Sequence, residues 1–243
     1  MRSRYEADEI RLFGPPNRVS GTLPSELSKS TVVPISLRVA DEISVYRARA
    51  RAVGGGVCEI RVRLPRATPP GTYRGESMLG DEKRKVTVEI EAKERIRIRP
   101  RETVLSGPPG GSVEFRVTVS NDGNVPLAVP KVETIDIDDV RGPERAYGRA
   151  LRASLKEDER RVDRFFEEVR EDHGGEAHVA ITEGSGSLMP GQMRELSCRL
   201  DIPTTVQEKR TYAGGMDLGS AGHGIVLDVT NGAKGANGRR KRR

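Results

Sequence analysis

Three histidines and a run of acidic residues have the side chains that could bind a metal ion. His173, His178 and His223 are scattered, and none has a partner at the spacing of metal ligands. Residues 136–139 could offer carboxylate oxygens to Ca²⁺, but they lack the glycine and the distal glutamate of a calcium-binding loop. A solvated end of a strand is the preferred interpretation of this run. We therefore predict no metal site and no cofactor.

The two cysteines could form a disulfide only if their strands abut. Cys58 and Cys198 fall on the inward positions of two similar strands, in different halves of the chain. A disulfide requires Cα atoms about 4.4 to 6.8 Å apart, which thiols in separate cores do not reach. We predict two buried, unpaired thiols, which agrees with a reducing compartment.

No catalytic motif is recognisable along the chain. The sequence contains no nucleophile elbow, phosphate-binding loop or dinucleotide fingerprint. The glycine-rich stretches 54–56 and 107–111 lie between strands, and no helix follows them to bind a phosphate at its N-terminus. They are typical of turns. We predict that the protein is not an enzyme and has no catalytic or cofactor-binding residue.

An internal repeat in the sequence indicates the β-strands that must position the histidines, cysteines and acidic residues discussed above. Residues 60–65 are similar in sequence to residues 198–203, and residues 86–90 are similar to residues 225–229. Between these segments, Tyr73 and Gly75 correspond to Tyr212 and Gly214. Apolar and polar residues alternate in the strand-like segments, which indicates β-strands. Further strands are predicted at 9–13, 32–39, 43–53, 95–99, 113–119, 125–129, 131–137 and 177–182.

Many short strands with turns between them favour a sandwich over a parallel α/β sheet. The predicted fold class is all-β, with two tandem immunoglobulin-like β-sandwiches. The predicted domains are 1–93 and 94–231, joined by a short linker near residues 92–94 and followed by a disordered basic tail at 232–243.

Residues 64–75 and 117–127 resemble a known family. They are similar to a late strand with its turn and to an early hairpin of bacterial immunoglobulin-like modules of the NEW3 and related groups. The resemblance covers most of the second half of the chain and the latter part of the first. Such modules are often strung together in surface proteins or appended to enzymes. The resemblance therefore implies carbohydrate binding or an accessory role beside an enzyme as one alternative function.

One segment departs from the strand pattern. Between Pro143 and Asp172, apolar residues recur at helical spacing within a dense shell of charges. The apolar side comprises Leu151, Leu155, Val162, Phe165, Phe166 and Val169. We predict one amphipathic helix, inserted in the second sandwich at about 143–173. It could cover an open face or edge of the sheet. Alternatively, Phe165, Phe166 and Val169 contact a partner protein.

The positive charge of the chain is concentrated at its end. The formal net charge is +6, and residues 232–243 contain six cations and no acid, so the remainder is neutral. The predicted polyanion-binding residues of this tail are Arg239, Arg240, Lys241, Arg242 and Arg243, which would attract phosphate by counterion release.

Arginines also alternate along three predicted strands. They are Arg47, Arg49 and Arg51, then Arg61 and Arg63, and then Arg95, Arg97 and Arg99. Period-two spacing places each set on the solvent face of its strand. Cross-strand pairs with Glu59, Glu89 and Glu91 are one interpretation, and a polyanion-binding face is the other. Aromatic residues make up only 4% of the chain and tryptophan is absent, which argues against base stacking or an aromatic sugar-binding platform.

These observations favour a non-enzymatic structural or protein-interaction module. The expected partner is another protein or a second copy of the chain, with weak nucleic acid binding through the tail as the anionic-polymer alternative. No stretch approaches the roughly 18 apolar residues of a membrane span. The first nine residues run into charges where a signal peptide needs an apolar core, so we expect a cytoplasmic location.

Overall fold

The computed structural model describes residues 9–24, 29–39, 42–79, 82–154 and 160–231. These residues form two compact units. The first contains the described residues up to Arg95 together with 121–127 and 188–192, and the second contains the rest. The domain limits expected from the sequence, 1–93 and 94–231, stay predictions. The basic tail, with Arg239–Arg243, lies outside the described residues.

The first unit is built from seven strands. They are β1 (Glu9–Gly14), β2 (Val19–Pro24), β3 (Thr31–Val39), β4 (Glu42–Gly54), β5 (Val57–Val62), β6 (Gly71–Leu79) and β7 (Glu82–Ile90). Their spatial order is β1-β2-β5-β4-β3-β6-β7. Splitting this order after β4 gives the four-stranded and three-stranded sheets of a constant-type immunoglobulin domain.

The two sheets of the first unit are joined at both edges. Strand β1 pairs antiparallel with β2 and parallel with β7, and the long strand β4 pairs with both β3 and β5. The ladder of strands therefore closes on itself, so that no long edge strand is left unpaired. Buried residues alternate with polar ones, as in β7, where Val86, Val88 and Ile90 face the core.

The second unit repeats this order. Its main strands are β8 (Ile96–Arg99), β9 (Glu102–Gly107), β10 (Ser112–Asn121), β12 (Val132–Asp139), β13 (His173–Glu183), β15 (Met193–Asp201), β16 (Thr211–Leu218) and β17 (Ala221–Val229). They are arranged as β8-β10-β15-β13-β12-β16-β17-β9. The first strand of the sandwich is here split in two, because β8 pairs with β10 while β9 runs parallel to β17. The short strands β11 (Leu127–Val129) and β14 (Gly186–Leu188) pair with each other.

The sequence repeat corresponds to the last three strands of each unit, β5, β6 and β7 in the first and β15, β16 and β17 in the second. Its shared glycines have a steric cause. A Cβ added at Gly75 would lie 1.8 Å from the carbonyl oxygen of Ser36, and one at Gly214 would lie 2.6 Å from that of Asp136. Only glycine allows β6 and β16 to approach their neighbouring strands this closely.

The shared tyrosines form a tyrosine corner in each unit. The Tyr73 hydroxyl donates to the carbonyl oxygen of Pro69 at 2.7 Å, and the Tyr212 hydroxyl accepts from the Gln207 N–H at 3.0 Å. A tyrosine near the start of the sixth strand, bonded to backbone a few residues upstream, is a hallmark of immunoglobulin-like sandwiches. With the strand order, it makes the chain an all-β protein of two tandem immunoglobulin-like sandwiches.

The inserted segment between β12 and β13 contains two helices, so the prediction of a single helix was wrong. They are α1 (Gly142–Arg152) and α2 (Arg161–Glu171). The backbone is extended at Ala153, with ψ of 138°, and at Arg160, with ψ of 147°. The run of charged residues from 156 to 160 interrupts the apolar periodicity between the two helices. Leu155, assigned to the predicted apolar face, lies outside the described residues.

Candidate functional site

Helices α1 and α2 contact each other and form a helical hairpin on the second unit. The Arg161 guanidinium, at the start of α2, donates to the carbonyl oxygens of Ala150 at 3.1 Å and Leu151 at 2.9 Å, at the end of α1. The Tyr147 ring meets Phe165 edge-on, with 6.5 Å between the ring centroids. These contacts hold the two helices side by side.

The inner side of the hairpin carries an ion network rather than an apolar face. Its carboxylates are those of Asp139, Glu168 and Asp172, whose side chains are 1%, 4% and 4% exposed. Arg149 Nη2 lies 2.8 Å from Asp172 Oδ2. Arg210 Nη1 lies 2.7 Å from Asp172 Oδ1 and 3.1 Å from Asp139 Oδ2.

Three further ion pairs complete the ion network. Arg145 pairs with Asp139, while Arg149 and Arg164 both pair with Glu168. The residues come from the end of β12, from both helices, from Asp172 between α2 and β13, and from the segment before β16. The ion network therefore ties the helical hairpin to the sheet. The only other buried side chains of α1 are the small ones of Ala146 and Ala150.

The arginines favour the ionised forms of Glu168 and Asp172. The hydrogen bond from Arg149 is the main cause that lowers the pKa of Glu168 below its usual value. Burial disfavours the charged form of Asp172, but hydrogen bonds from Arg149 and Arg210 outweigh it, and the pKa of Asp172 is also lowered. The hydrogen bond to Asp172 in turn raises the pKa of Arg149.

The interpretation of residues 136–139 as a solvated strand end is incorrect for its last residue. Alternation along β12 places Asp136 and Asp138 outside, but it turns Asp139 inward, into the ion network. Asp138 pairs with the Nδ1 atom of His173 at 2.7 Å. Among the described residues, no group of three or more histidine, cysteine or acidic side chains is arranged to hold a metal ion.

The outer side of the hairpin exposes large apolar side chains. Tyr147, Leu151, Val162 and Phe166 are each at least half exposed, and we call them the outer face of the hairpin. Of the predicted protein-binding residues, Phe166 is 56% exposed, whereas Phe165 and Val169 are partly buried. Sequence analysis missed Tyr147. Its spacing of four residues from Leu151, one helical turn, could have indicated it.

The predicted arginine sets lie in different places. Arg47, Arg49 and Arg51 on β4 and Arg61 and Arg63 on β5 are exposed on one surface of the first unit, which we call the arginine face. Arg97 and Arg99 lie on β8 of the second unit, and Arg95 directly precedes that strand; all three are exposed. Of the arginine face, only Arg61 forms an ion pair with a described carboxylate, that of Glu59 at 2.7 Å.

Both cysteines are buried and unpaired, one in each unit, as predicted. Burial raises the pKa of both thiols, that of Cys198 to about 11. His223 lies within β17, and it is 1% exposed. Its ring stacks on Phe115, its Nδ1 atom lies 2.9 Å from the Pro100 carbonyl oxygen, and burial lowers its pKa. None of the described helices has the length and apolar content needed to span a bilayer.

Comparisons with known proteins find similar folds only. No family model and no curated protein matches the chain. One similar solved structure is the I-band fragment I67-I69 from titin, with 7% sequence identity, coverage of 92% of this chain and 63% of that chain, and a TM-score of 0.36. Another is Dpr11 IG1 bound to DIP-gamma IG+IG2, with 9% identity, coverage of 92% of this chain and 96% of that chain, and a TM-score of 0.31. A third is a protein of unknown function from Porphyromonas gingivalis W83, with 10% identity, coverage of 90% of this chain and 96% of that chain, and a TM-score of 0.29.

The chain therefore spans 63% of the length of the titin fragment. At these identities and TM-scores the comparisons carry no argument about function. The immunoglobulin-like assignment rests on the strand order and the two tyrosine corners. The resemblance to NEW3-like modules stays a prediction.

Proposed function

We propose that this chain is a non-enzymatic protein-interaction module, and that the outer face of the helical hairpin is its binding surface. The observation that carries the proposal is the orientation of the hairpin. Arg149 and Glu168 point inward into the ion network. The large apolar side chains Tyr147, Leu151, Val162 and Phe166 point to solvent beside other, exposed charges. A helix that merely covered a sheet would bury these apolar residues and expose the charges.

A partner would gain free energy by covering this face. Each of the four side chains is half or more exposed, and complete burial of a Leu, Val or Phe side chain is worth about 1.5–3 kcal/mol. Covering the exposed part of each residue would therefore contribute roughly 1 kcal/mol. Clusters of aromatic and aliphatic residues of this kind form the central anchors of protein interfaces.

The ion network supports this role because it fixes the hairpin before binding. Asp139 and Arg210 belong to the sheet side, whereas Arg149 and Glu168 belong to the helices. A surface that is already ordered loses less conformational entropy when a partner binds. The resemblance of residues 64–75 and 117–127 to NEW3-like modules agrees with a domain that works beside other proteins.

The test compares a double variant of the outer face with a matched control. Leu151→Glu/Phe166→Glu places two charges on the hairpin, and Ile43→Glu/Val45→Glu places two on apolar residues of β4 that are somewhat more exposed. Wild type and both variants are used to capture proteins from a lysate of the native host at high salt. A captured protein is then purified and titrated against all three. We expect the hairpin variant to bind about 30-fold more weakly, which corresponds to loss of two anchors, and the control to bind like wild type.

Sedimentation of the protein alone tests self-association. A dimer that dissociates in the Leu151→Glu/Phe166→Glu variant identifies the partner as a second copy of the chain. Because all four mutated residues are exposed, thermal unfolding should show that both variants remain folded. Equal binding by the hairpin variant and wild type, with no change in oligomeric state, would show that the proposed surface is wrong.

A further inference from the structure

The arginine face of the first unit follows from the alternation of β4 and β5. Ala48 and Ala50 on β4 and Ile60 and Val62 on β5 are buried in the core. The residues between them must point outward, and most of these are arginines. They line a groove of about 660 Å³ together with Ser30, Thr31 and Val32.

Pairing within the sheet accounts for only part of this concentration of charge, because Arg51 lies opposite Glu59 but the other arginines outnumber the carboxylates. In the part of the chain that the structure describes, Glu59 is the one carboxylate that lines the groove, and it pairs with Arg61. Arg47, Arg49, Arg51 and Arg63 have no ion pair with a described carboxylate. Arg49 lies directly opposite Arg61 across the two strands. Like charges directly opposite each other destabilise a sheet, and an anion bound from solution would relieve the repulsion between Arg49 and Arg61.

We propose that the arginine face binds the phosphate backbone of a nucleic acid, independently of base sequence. Guanidinium groups bind phosphate through two parallel hydrogen bonds, and the hydroxyls of Ser30 and Thr31 can add neutral ones. Alternate residues along β4 are roughly 6.7 Å apart, so the arginines form a regular row that suits a polymer with regularly spaced charges.

The shape and lining of the groove favour this ligand over others with negative charge. A groove admits a strand of phosphates, whereas a flat membrane surface would touch only its rims. None of the described residues that line the groove is aromatic, so these residues offer bases no surface on which to stack. Binding through phosphates alone should therefore fall steeply with salt and be similar for single and double strands.

The test reverses two charges of the arginine face in the full-length protein. In Arg47→Glu/Arg49→Glu, the new glutamate at position 49 faces Arg61, so this pair becomes attractive and the sheet should not lose stability. The matched control, Arg38→Glu/Arg74→Glu, changes the net charge equally at two exposed arginines on β3 and β6 of the same unit. The basic tail is present in every protein and contributes the same background.

Binding to a mixed-sequence DNA duplex and to a single strand of the same length is followed by fluorescence anisotropy between about 50 and 200 mM salt. We expect Arg47→Glu/Arg49→Glu to bind at least about tenfold more weakly, and the slope of log K against log salt to fall by about 2. The control should retain the wild-type slope.

Three results would overturn the proposal. The first is unchanged DNA binding by the arginine-face variant. The second is an equal loss in the control, which would show an effect of net charge alone. The third is loss of binding to vesicles containing phosphatidylserine without a matching loss for DNA, which would make the face a lipid-headgroup site. Thermal unfolding of each variant separates these outcomes from misfolding.

Discussion

The carboxylate of Asp139 is the most deeply buried charge of the ion network, and its side chain is 1% exposed. A buried carboxylate is tolerated only when cations and hydrogen-bond donors surround it. Asp139 meets this condition through Arg145 and Arg210, and its Oδ1 atom also accepts from the Arg141 N–H at 2.9 Å. The residue thus joins the end of β12 to the beginning of α1.

Replacement of Asp139 by alanine should destabilise the protein by about 2–4 kcal/mol, because Arg145 loses its ion pair and Arg210 keeps only that with Asp172. Arg145 and Arg210 retain some access to water, so the cost should not reach the upper limit for a buried pair. Urea unfolding measures the effect. Asp138→Ala is the control, since that side chain is 74% exposed, and it should change stability by less than about 1 kcal/mol. Equal effects of the two changes would contradict a structural role of the ion network.

Acid should weaken the attachment of the hairpin. The pKa values of Glu168 and Asp172 are lower in the folded protein than in the unfolded chain. Their contribution to stability is therefore complete above the unfolded values near pH 4 and is lost as the pH falls through the folded ones. The protection factors of the hairpin amides, which correct the exchange rate for its intrinsic dependence on pH, should fall below about pH 4.5. A hairpin that is equally protected at pH 7 and pH 3 would contradict this.

His223 should make stability depend on pH nearer neutrality. Burial lowers its pKa, so the folded state favours the neutral ring, and stability is lost as the pH falls below the unfolded pKa of about 6.5. In His223→Phe, the loss of unfolding free energy between about pH 7.5 and pH 5.5 should be smaller than in wild type. His178→Gln, a change at an exposed histidine, is the control. The same pH dependence in all three proteins would refute this role of His223.

At the scale of elements, two adjacent glycines of β16 provide a matched test of strand approach. A Cβ at Gly214 would meet the Asp136 carbonyl oxygen at 2.6 Å and the Ile137 side chain at 2.8 Å, whereas the nearest atom to one at Gly215 is 4.0 Å away. Gly214→Ala should therefore cost about 1–3 kcal/mol of unfolding free energy through displacement of β12. Gly215→Ala should be neutral or slightly stabilising. Equal losses of unfolding free energy in the two variants would show that the close approach of β16 to β12 does not restrict position 214.

The elements were predictable to different degrees. The strand from 43 to 53 was recognisable because its alternation of Arg and Ala continues without interruption, and the structure extends it by one residue at each end. The helical segment was recognisable as helical, but not as two helices with an inverted orientation. The periodicity of Leu151, Val162 and Phe166 defines an apolar side without stating whether it faces the sheet. Ion pairs between distant residues, such as Arg210 and Asp172, decided that orientation.

The two units of the molecule have the same strand order, and each contains a tyrosine corner. The two corner tyrosines differ in burial. Tyr212 is 1% exposed, and the bond of Tyr73 is exposed to solvent. Tyr212→Phe should cost about 1–3 kcal/mol, because the Gln207 N–H loses its partner in a partly buried position. Tyr73→Phe should cost less than about 1 kcal/mol, since water can replace the hydroxyl at Pro69. Denaturant unfolding of the single and double variants checks both values and their additivity.

The fold class and the core positions follow from the pattern of residues along the chain. Alternation of apolar and polar residues is a local property of each strand. The tyrosine and glycine at 73 and 75, repeated at 212 and 214, serve the tyrosine corner and the close approach of strands, which are both formed within one unit. The burial of Cys58 and Cys198 followed from the same parity. The arrangement of groups on the surface follows only from the tertiary fold, because surface chemistry depends on which distant residues become neighbours. The tertiary structure places Asp139 between arginines from two other segments, turns Phe166 to solvent, and sets Arg49 directly opposite Arg61.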